Sequence, residues 1–260
     1  MIEGAIDEYE DRYVAFLDLL GFKQQVESAE RNPVERAHLV ELLTLVRDTL
    51  GENPYIGFRI NYFSDSIFLT AKRTSEGLWE MFQSITRLTQ NMLQHDVLIR
   101  GGLTAGGTHH SRQFLYGTAV NRAVVAEQNA KNPMTLVSDE VVEDASRYGS
   151  AHRQWIAKDR SEKPFVHYMI EYEVYRPEPI YAGMLILERP GGRIIDFVCQ
   201  RLNRDRDAIL EKAEWLQAYW NETVAVHGVF GRIEKGVTER YDSGGPTIGF
   251  RRMYMPKVEH

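Results

Sequence analysis

Tyr13-Val14-Ala15-Phe16-Leu17-Asp18-Leu19-Leu20-Gly21-Phe22 is the stretch from which the rest of the chain can be ordered. Tyr13 to Asp18 is an apolar run closed by one carboxylate, the pattern of a short buried strand. Leu19-Leu20-Gly21-Phe22 then leads into a helical stretch, roughly Lys23 to Leu50, with a break at Asn32-Pro33. Leu39, Leu42, Leu43, Val46 and Leu50 keep the 3-4 spacing of one buried face. Gly51-Glu52-Asn53-Pro54 ends the helix. Two strands follow, Phe58 to Phe63 and Ser66 to Thr70, with Ser64-Asp65 as the hairpin tip. A helix from Ser75 to Gln94 and a fourth strand from Val97 through Gly106 complete the series.

The order β-α-β-β-α-β is the split-βαβ plan, whose usual sheet order is 4-1-3-2. Right-handed crossover makes the second strand parallel to the first, and the third runs back between them. The end of strand 1 therefore lies beside the start of strand 3. Asp18 and Asp65, 47 positions apart, are expected to be neighbours at one sheet edge. Beyond Tyr116-Gly117 the pattern gives a helix from Thr118 to Ala130 and a strand from Met134 to Val137. A helix opening at Ser138, with Glu140 and Glu143, and a strand-like run from Phe165 to Tyr175 follow. Arg176-Pro177-Glu178-Pro179 marks a boundary. The chain divides into a domain over 13–176 and an extension over 177–260, with a strand-like stretch Tyr181 to Leu187 and an amphipathic helix from about Asp205 to Val226. The fold class is α+β: a ferredoxin-like split-βαβ antiparallel sheet with flanking helices and a C-terminal α/β extension that packs on the domain or on a dimer.

The whole chain is consistent with this. Its 260 residues are 43% hydrophobic and 26% charged, which excludes a disordered chain or a coiled-coil rod. Against 31 basic residues stand 37 acidic ones, a net charge of −6. No global field draws it to nucleic acid or anionic lipid, so a polyanion would be held by local groups or metal ions. No apolar run approaches the ~20 residues of a membrane span, and the acidic start is not expected to act as a signal peptide. The expected place is the cytoplasm, with neither nucleic acid nor membrane as partner. The single cysteine, Cys199, excludes an internal disulfide and reads as an inert thiol.

Converging carboxylates repel and call for a cation, and oxygen donors beside a triphosphate suit Mg²⁺ or Mn²⁺. Two such ions about 3.5–4 Å apart would activate an attacking oxygen and steady a leaving phosphate. The backbone N–H groups of Leu20, Gly21 and Phe22 would cradle phosphate oxygens where the chain turns into the helix.

Four motifs carry a family likeness. Phe16-Leu17-Asp18-Leu19-Leu20-Gly21-Phe22 resembles the F-x-D-x-x-G-F opening of class III nucleotidyl cyclases. Tyr62-Phe63-Ser64-Asp65-Ser66 is similar to their second metal-binding aspartate, with Ser64 where Gly is usual. Ile99-Arg100-Gly101-Gly102-Leu103-Thr104-Ala105-Gly106 resembles their R-x-G-[IL]-x-x-G strand. Gly117-Thr118-Ala119-Val120-Asn121-Arg122-Ala123 resembles their G-x-x-V-N-x-A helix start. The likeness spans residues 13 to about 150. It implies that Asp18 and Asp65, with the Leu19 carbonyl, hold two Mg²⁺ or Mn²⁺ ions. It implies a homodimer with two sites, in which Asn121 of the second copy orients the ribose. The reaction implied is attack of the ribose 3′-hydroxyl on the α-phosphate of a nucleoside triphosphate.

Two positions depart from the family pattern. The transition-state arginine expected four residues after Asn121 is Val125, so Arg122 or Arg100 would have to substitute. Losing one such donor typically costs about 10²–10³ in rate. The purine-reading positions are Asn61 and Phe114, which match neither the adenylate nor the guanylate code. Asn61 offers a donor and an acceptor, and Phe114 would narrow the pocket. This resembles the pyrimidine cyclases of the bacterial Pycsar antiphage system and implies UTP, or else CTP, as substrate, with a separate effector protein sensing the product. The alternatives are a purine cyclase with an altered pocket and a catalytically silent cyclase-like dimerisation module. His109-His110 reads as a surface loop, the Gly101 to Gly107 run as strand and not a dinucleotide loop, and Arg201, Arg204 and Arg206 as a solvated basic cluster.

Overall fold

The computed structural model describes residues 9–51, 55–111, 113–159, 161–171 and 207–224. The boundary at Arg176 to Pro179, the stretch Tyr181 to Leu187, Cys199, and Arg201, Arg204 and Arg206 lie outside them.

The first strand, β1 (Glu10–Leu20), is longer than its apolar run and continues past Asp18. Its extra residues are held by pairing with a neighbour, which an apolar count does not register. Helices α1 (Phe22–Arg31) and α2 (Pro33–Gly51) are split at Asn32, which is extended (φ −128°, ψ 117°) as a residue before proline must be. Next come β2 (Arg59–Phe63), β3 (Ser66–Lys72) and α3 (Ser75–Gln94), whose first turn is capped by the Thr74 hydroxyl accepting from the Gly77 N–H. Strand β4 (Leu98–His110) and β5 (Leu115–Gly117) form a hairpin leading to α4 (Thr118–Gln128). Then follow β6 (Thr135–Val137), α5 (Asp139–Tyr148), α6 (Ser150–Arg153), β7 (Ile156–Lys158), β8 (Pro164–Val166) and α7 (Asp207–Val224).

The strands form one sheet in the order β2-β3-β1-β4-β6-β8-β7, with β5 paired to β4. Its first four positions are the split-βαβ order, antiparallel throughout. Strand β6 then joins β4 in parallel, so the complete sheet is mixed. The fold is α+β, with helices on the sheet.

Alternation along β1 separates two faces. Tyr13, Ala15, Leu17 and Leu19 enter the main core with residues of α2 and α3. Val14 packs with Ala119, Val120 and Ala123 of α4, flanked by Phe16, Phe68 and Leu115. Asp18 follows Val14 and Phe16 on this second face. Gly102 lets α4 come close: a Cβ there would lie 2.4 Å from the Ala123 carbonyl oxygen.

The strand-like run from Phe165 to Tyr175 is corrected over residues 165–171, and residues 172–175 lie outside the described ones. Strand β8 stops at Val166, and the Tyr168 N–H turns back to the Val166 carbonyl (2.9 Å). Tyr168 and Met169 are buried in a turn, not a strand. Phe165, Tyr168 and Met169 pack against Trp215, Leu216, Tyr219 and Trp220 of α7. The Tyr219 hydroxyl accepts from the Met169 N–H at 3.1 Å. Among the described residues no helix is long and apolar enough to cross a membrane.

Candidate active site

Asp18 pairs across the sheet with Ser66 on one side and Arg100 on the other. Asp65 precedes Ser66 in the β2–β3 turn, and its carbonyl accepts from the Leu19 N–H at 3.2 Å. In a strand the N–H and C=O of one residue point the same way, so the Leu19 carbonyl also faces the Asp65 turn. Ser64 sits at φ 57°, which explains why glycine suits this position. Gly21 at φ 84° ends β1 and turns the chain into α1, whose first N–H groups have no side-chain cap. A Cβ on Gly21 would meet nothing nearer than Gln24 Oε1 at 4.0 Å. The positive φ, and not crowding, is what asks for glycine there.

Burial pushes the Asp18 carboxyl above the ordinary aspartate range, and the charges of Glu127 and Asp65 push it further in the same direction. Arg100 opposes them. Its Nη2 lies 3.9 Å from Asp18 Oδ2, while its guanidinium is bound more closely by Glu127, a buried carboxylate in the last turn of α4. Asp18 and Glu127 thus share one arginine, with the charge of Asp65 acting on Asp18 from the neighbouring turn.

This donor set suits a divalent cation shared with a phosphate ligand. Among the described residues no cluster of three or more His, Cys, Asp or Glu forms a closed metal cage. Mg²⁺, however, is commonly bound by one or two carboxylates plus substrate phosphates, which two aspartates and a carbonyl would satisfy.

Asn121, Arg122 and Val125 line an open groove of about 350 Å³ with Thr104, Ala126, Asn129 and Ser138. Asp18 and Asp65 are not among the residues that line it. Arg122 Nη1 pairs with Glu140 Oε1 at 3.0 Å and its Nη2 donates to the Ala105 carbonyl. Both candidate arginines, Arg100 and Arg122, therefore have carboxylate partners. Val125 is 55% exposed.

Asn61 pairs with Phe68 across β2–β3, beside the Phe16–Phe68 ring contact (centroids 4.6 Å apart). Phe114 is 61% exposed in the β4–β5 hairpin. The reading of His109-His110 as a surface loop is overturned: both lie in β4 and are buried. Their side chains go to opposite faces, as neighbours on a strand must. His109 stacks on Tyr116 (4.7 Å). His110 places Nδ1 2.7 Å from Thr70 Oγ1 and Nε2 3.1 Å from Asn61 Oδ1. Arg12 Nε donates to the same Thr70 oxygen at 3.1 Å. Burial, with Arg12, Arg59 and His109 nearby, pushes His110 down to about 4.

Glu127, His110, Thr70 and Arg12 were not found from sequence. Parity offered one signal: Arg100 faces the same way as Asp18 on a strand covered by α4, so a carboxylate on that helix was to be expected.

No family model matches the chain, and no curated protein does. Solved structures do match. The adenylyl cyclase CyaB from P. aeruginosa is similar over 61% of this chain and 93% of its own, at 16% identity and a TM-score of 0.45. The catalytic core of a rhodopsin-guanylyl cyclase with converted specificity, in complex with ATPalphaS, is similar over 61% of this chain and 96% of its own, at 16% identity and a TM-score of 0.47. A bacterial light-regulated adenylyl cyclase is similar over 63% of this chain and 95% of its own, at 16% identity and a TM-score of 0.45. Likeness at this level assigns no activity and no substrate to this chain.

Proposed function

We propose that this chain is a metal-dependent nucleotidyl cyclase of the class III kind. It converts a pyrimidine ribonucleoside triphosphate, UTP in preference to CTP, into the 3′,5′-cyclic monophosphate and pyrophosphate. The observation that carries the reading is that Asp18 pairs with Ser66, the residue after Asp65, and that the Asp65 carbonyl accepts from the Leu19 N–H, next to the Gly21 turn. In the reaction the O3′–Pα bond forms as the bond from Pα to the bridging oxygen breaks. Pyrophosphate leaves and the hydroxyl proton passes to water. Mg²⁺ or Mn²⁺ held by Asp18, Asp65 and the Leu19 carbonyl would lower the pKa of the 3′-hydroxyl and offset charge on the leaving group. Leu20, Gly21 and Phe22 bind phosphate oxygens through backbone N–H groups. Asn61 reads the base and Phe114 narrows its pocket.

Asn121 serves the ribose from a second copy of the chain, with Arg122 or Arg100 stabilising the charge that develops. A dimer is supported by Phe63, 80% exposed on the Asp18 face, and by exposed Val125 on the helix covering that face. Residues 13–176 are the catalytic domain and 177–260 an extension. The product acts in the cytoplasm as a messenger in antiphage defence, read by a separate effector protein.

The test is incubation of the protein with Mn²⁺ and each of ATP, GTP, CTP and UTP, with mass spectrometry of the products. Cyclic UMP or cyclic CMP, lost in Asp18→Ala and Asp65→Ala, is expected. Full activity in either variant would sink the proposal, and cyclic AMP or cyclic GMP would refute the base assignment alone. Val125, together with the engagement of both arginines, favours one second reading: a silent cyclase-like dimerisation module, which forms dimers and releases no pyrophosphate from any nucleotide.

A further inference from the structure

Asn61 can read a base in two opposite ways, because its amide carries an acceptor on one side and a donor on the other. Which side it presents depends on what holds the other. Here the holder is a buried chain of polar groups crossing three strands. Arg12 is buried on β1, Thr70 on β3 and His110 on β4, the last only 5% exposed. Asn61, on β2, is the half-exposed end of the chain.

The direction of the chain follows from its fixed end. Arg12 can only donate, and its Nε–H is given to Thr70 Oγ1. Among the described residues His110 Nδ1, 2.7 Å away, is the one acceptor the Thr70 hydroxyl proton can reach, and the proton is assigned to it. The positive charge of Arg12 favours the ring lone pair on this side. A neutral imidazole accepting at Nδ1 carries its proton on Nε2. That proton is donated to Asn61 Oδ1 at 3.1 Å. The Asn61 oxygen is thereby committed inward, and its NH₂ group has no hydrogen-bond partner among the described residues. The half-buried Phe16–Phe68 pair beside it offers an apolar surface for a ring.

We propose that His110 is a positioning residue for base selection: held by Thr70 and Arg12, it fixes the Asn61 amide so that only N–H donors face the base. A base bearing a carbonyl at that edge, as uracil does at C4, is then accepted. One bearing an amino group there, as cytosine does, meets donor against donor. The inference rests on the reading of Asn61 as the base-contacting residue of a cyclase.

The experiment measures equilibrium binding of UTP and CTP to the full chain with Ca²⁺, and kcat/KM for each with Mn²⁺. The native chain is expected to favour UTP by about ten- to a hundred-fold, the size of one unmet hydrogen bond. His110→Ala frees the amide to flip, and the ratio falls towards one. His110→Gln can accept from Thr70 and donate to Asn61, and keeps the preference. Asn61→Asp presents only acceptors and shifts the preference towards CTP, which decides the matter if His110→Ala does not fold. An unchanged ratio in folded His110→Ala, an unmoved ratio in Asn61→Asp, or a native preference for CTP overturns the inference while leaving the cyclase reading intact. Failure to bind or cyclise any nucleotide overturns both.

Discussion

Gly102→Ala tests the geometry on which the α4 side of the site depends. The new Cβ would lie 2.4 Å from the Ala123 carbonyl oxygen, 2.5 Å from the Ala126 Cβ and 3.0 Å from the Glu127 nitrogen. None of these is the far end of a flexible side chain. Carbon contacts are ordinarily about 3.5–4 Å, so α4 has to retreat by roughly 1 Å. Overpacking of this kind costs about 1–3 kcal/mol. The same helix carries Asn121 and holds Arg100 through Glu127. A misplacement of about 1 Å in catalytic groups can cost about 10²-fold in rate. Gly107→Ala is the control, because a Cβ there meets only Tyr9 Cδ1 at an ordinary 3.7 Å. Denaturant unfolding and product formation should be measured on both variants. Gly107→Ala is expected to stay within about 0.5 kcal/mol of the native chain, with Gly102→Ala well below it in stability and rate. Equal behaviour of the two would refute the claim that α4 is seated against Gly102 of β4.

Asp18→Asn should lower cyclase rate by about 10² or more, since several kcal/mol of charge stabilisation depend on the carboxylate pair. Calorimetry of the metal-free variant should show no loss of stability, because a half-buried carboxylate repelled by Glu127 and Asp65 has been neutralised. Ser64→Gly should raise stability by about 1 kcal/mol by relieving the left-handed backbone at φ 57°, read as a higher denaturant midpoint at unchanged slope. His110 gives a pH signature. Its pKa lies near 4 in the fold against an ordinary 6.5, so protonation favours the unfolded chain. Its contribution is complete above pH 6.5 and is lost as pH falls towards 4, with a span on the order of 3 kcal/mol. His110→Gln should flatten that part of the stability curve, and a curve of native steepness in the variant would contradict it.

The strand order was legible because it follows from element order and crossover handedness, neither of which depends on where a strand stops. Strand ends were less so. Strand β1 reaches Leu20 and β4 reaches His110 because each has partners along its length, and pairing is a property of two segments. The run after Phe165 illustrates the same ambiguity from the other side. An apolar sequence reports burial, and burial against α7 can be met by a turn as well as by a strand.

At the candidate site, the acids at the strand ends stood out because carboxylates are rare in apolar runs. The groups that set their electrostatics did not. Glu127 looks like any late-helix acid until α4 is laid on the sheet, where it becomes the partner of an arginine facing Asp18. His110 looked like half of a loop pair, but β4 runs on to it with a polar side chain buried over its neighbours. A buried histidine is costly unless both ring nitrogens are met, and meeting them here requires Thr70 from one strand and Asn61 from another. These three residues are 9, 40 and 49 positions apart in pairs, so the hydrogen-bonded chain that ties Asn61 to Arg12 exists only once the sheet has formed. The chemistry-bearing residues of this chain are written in local motifs; their protonation and orientation are set by contacts that no local motif contains.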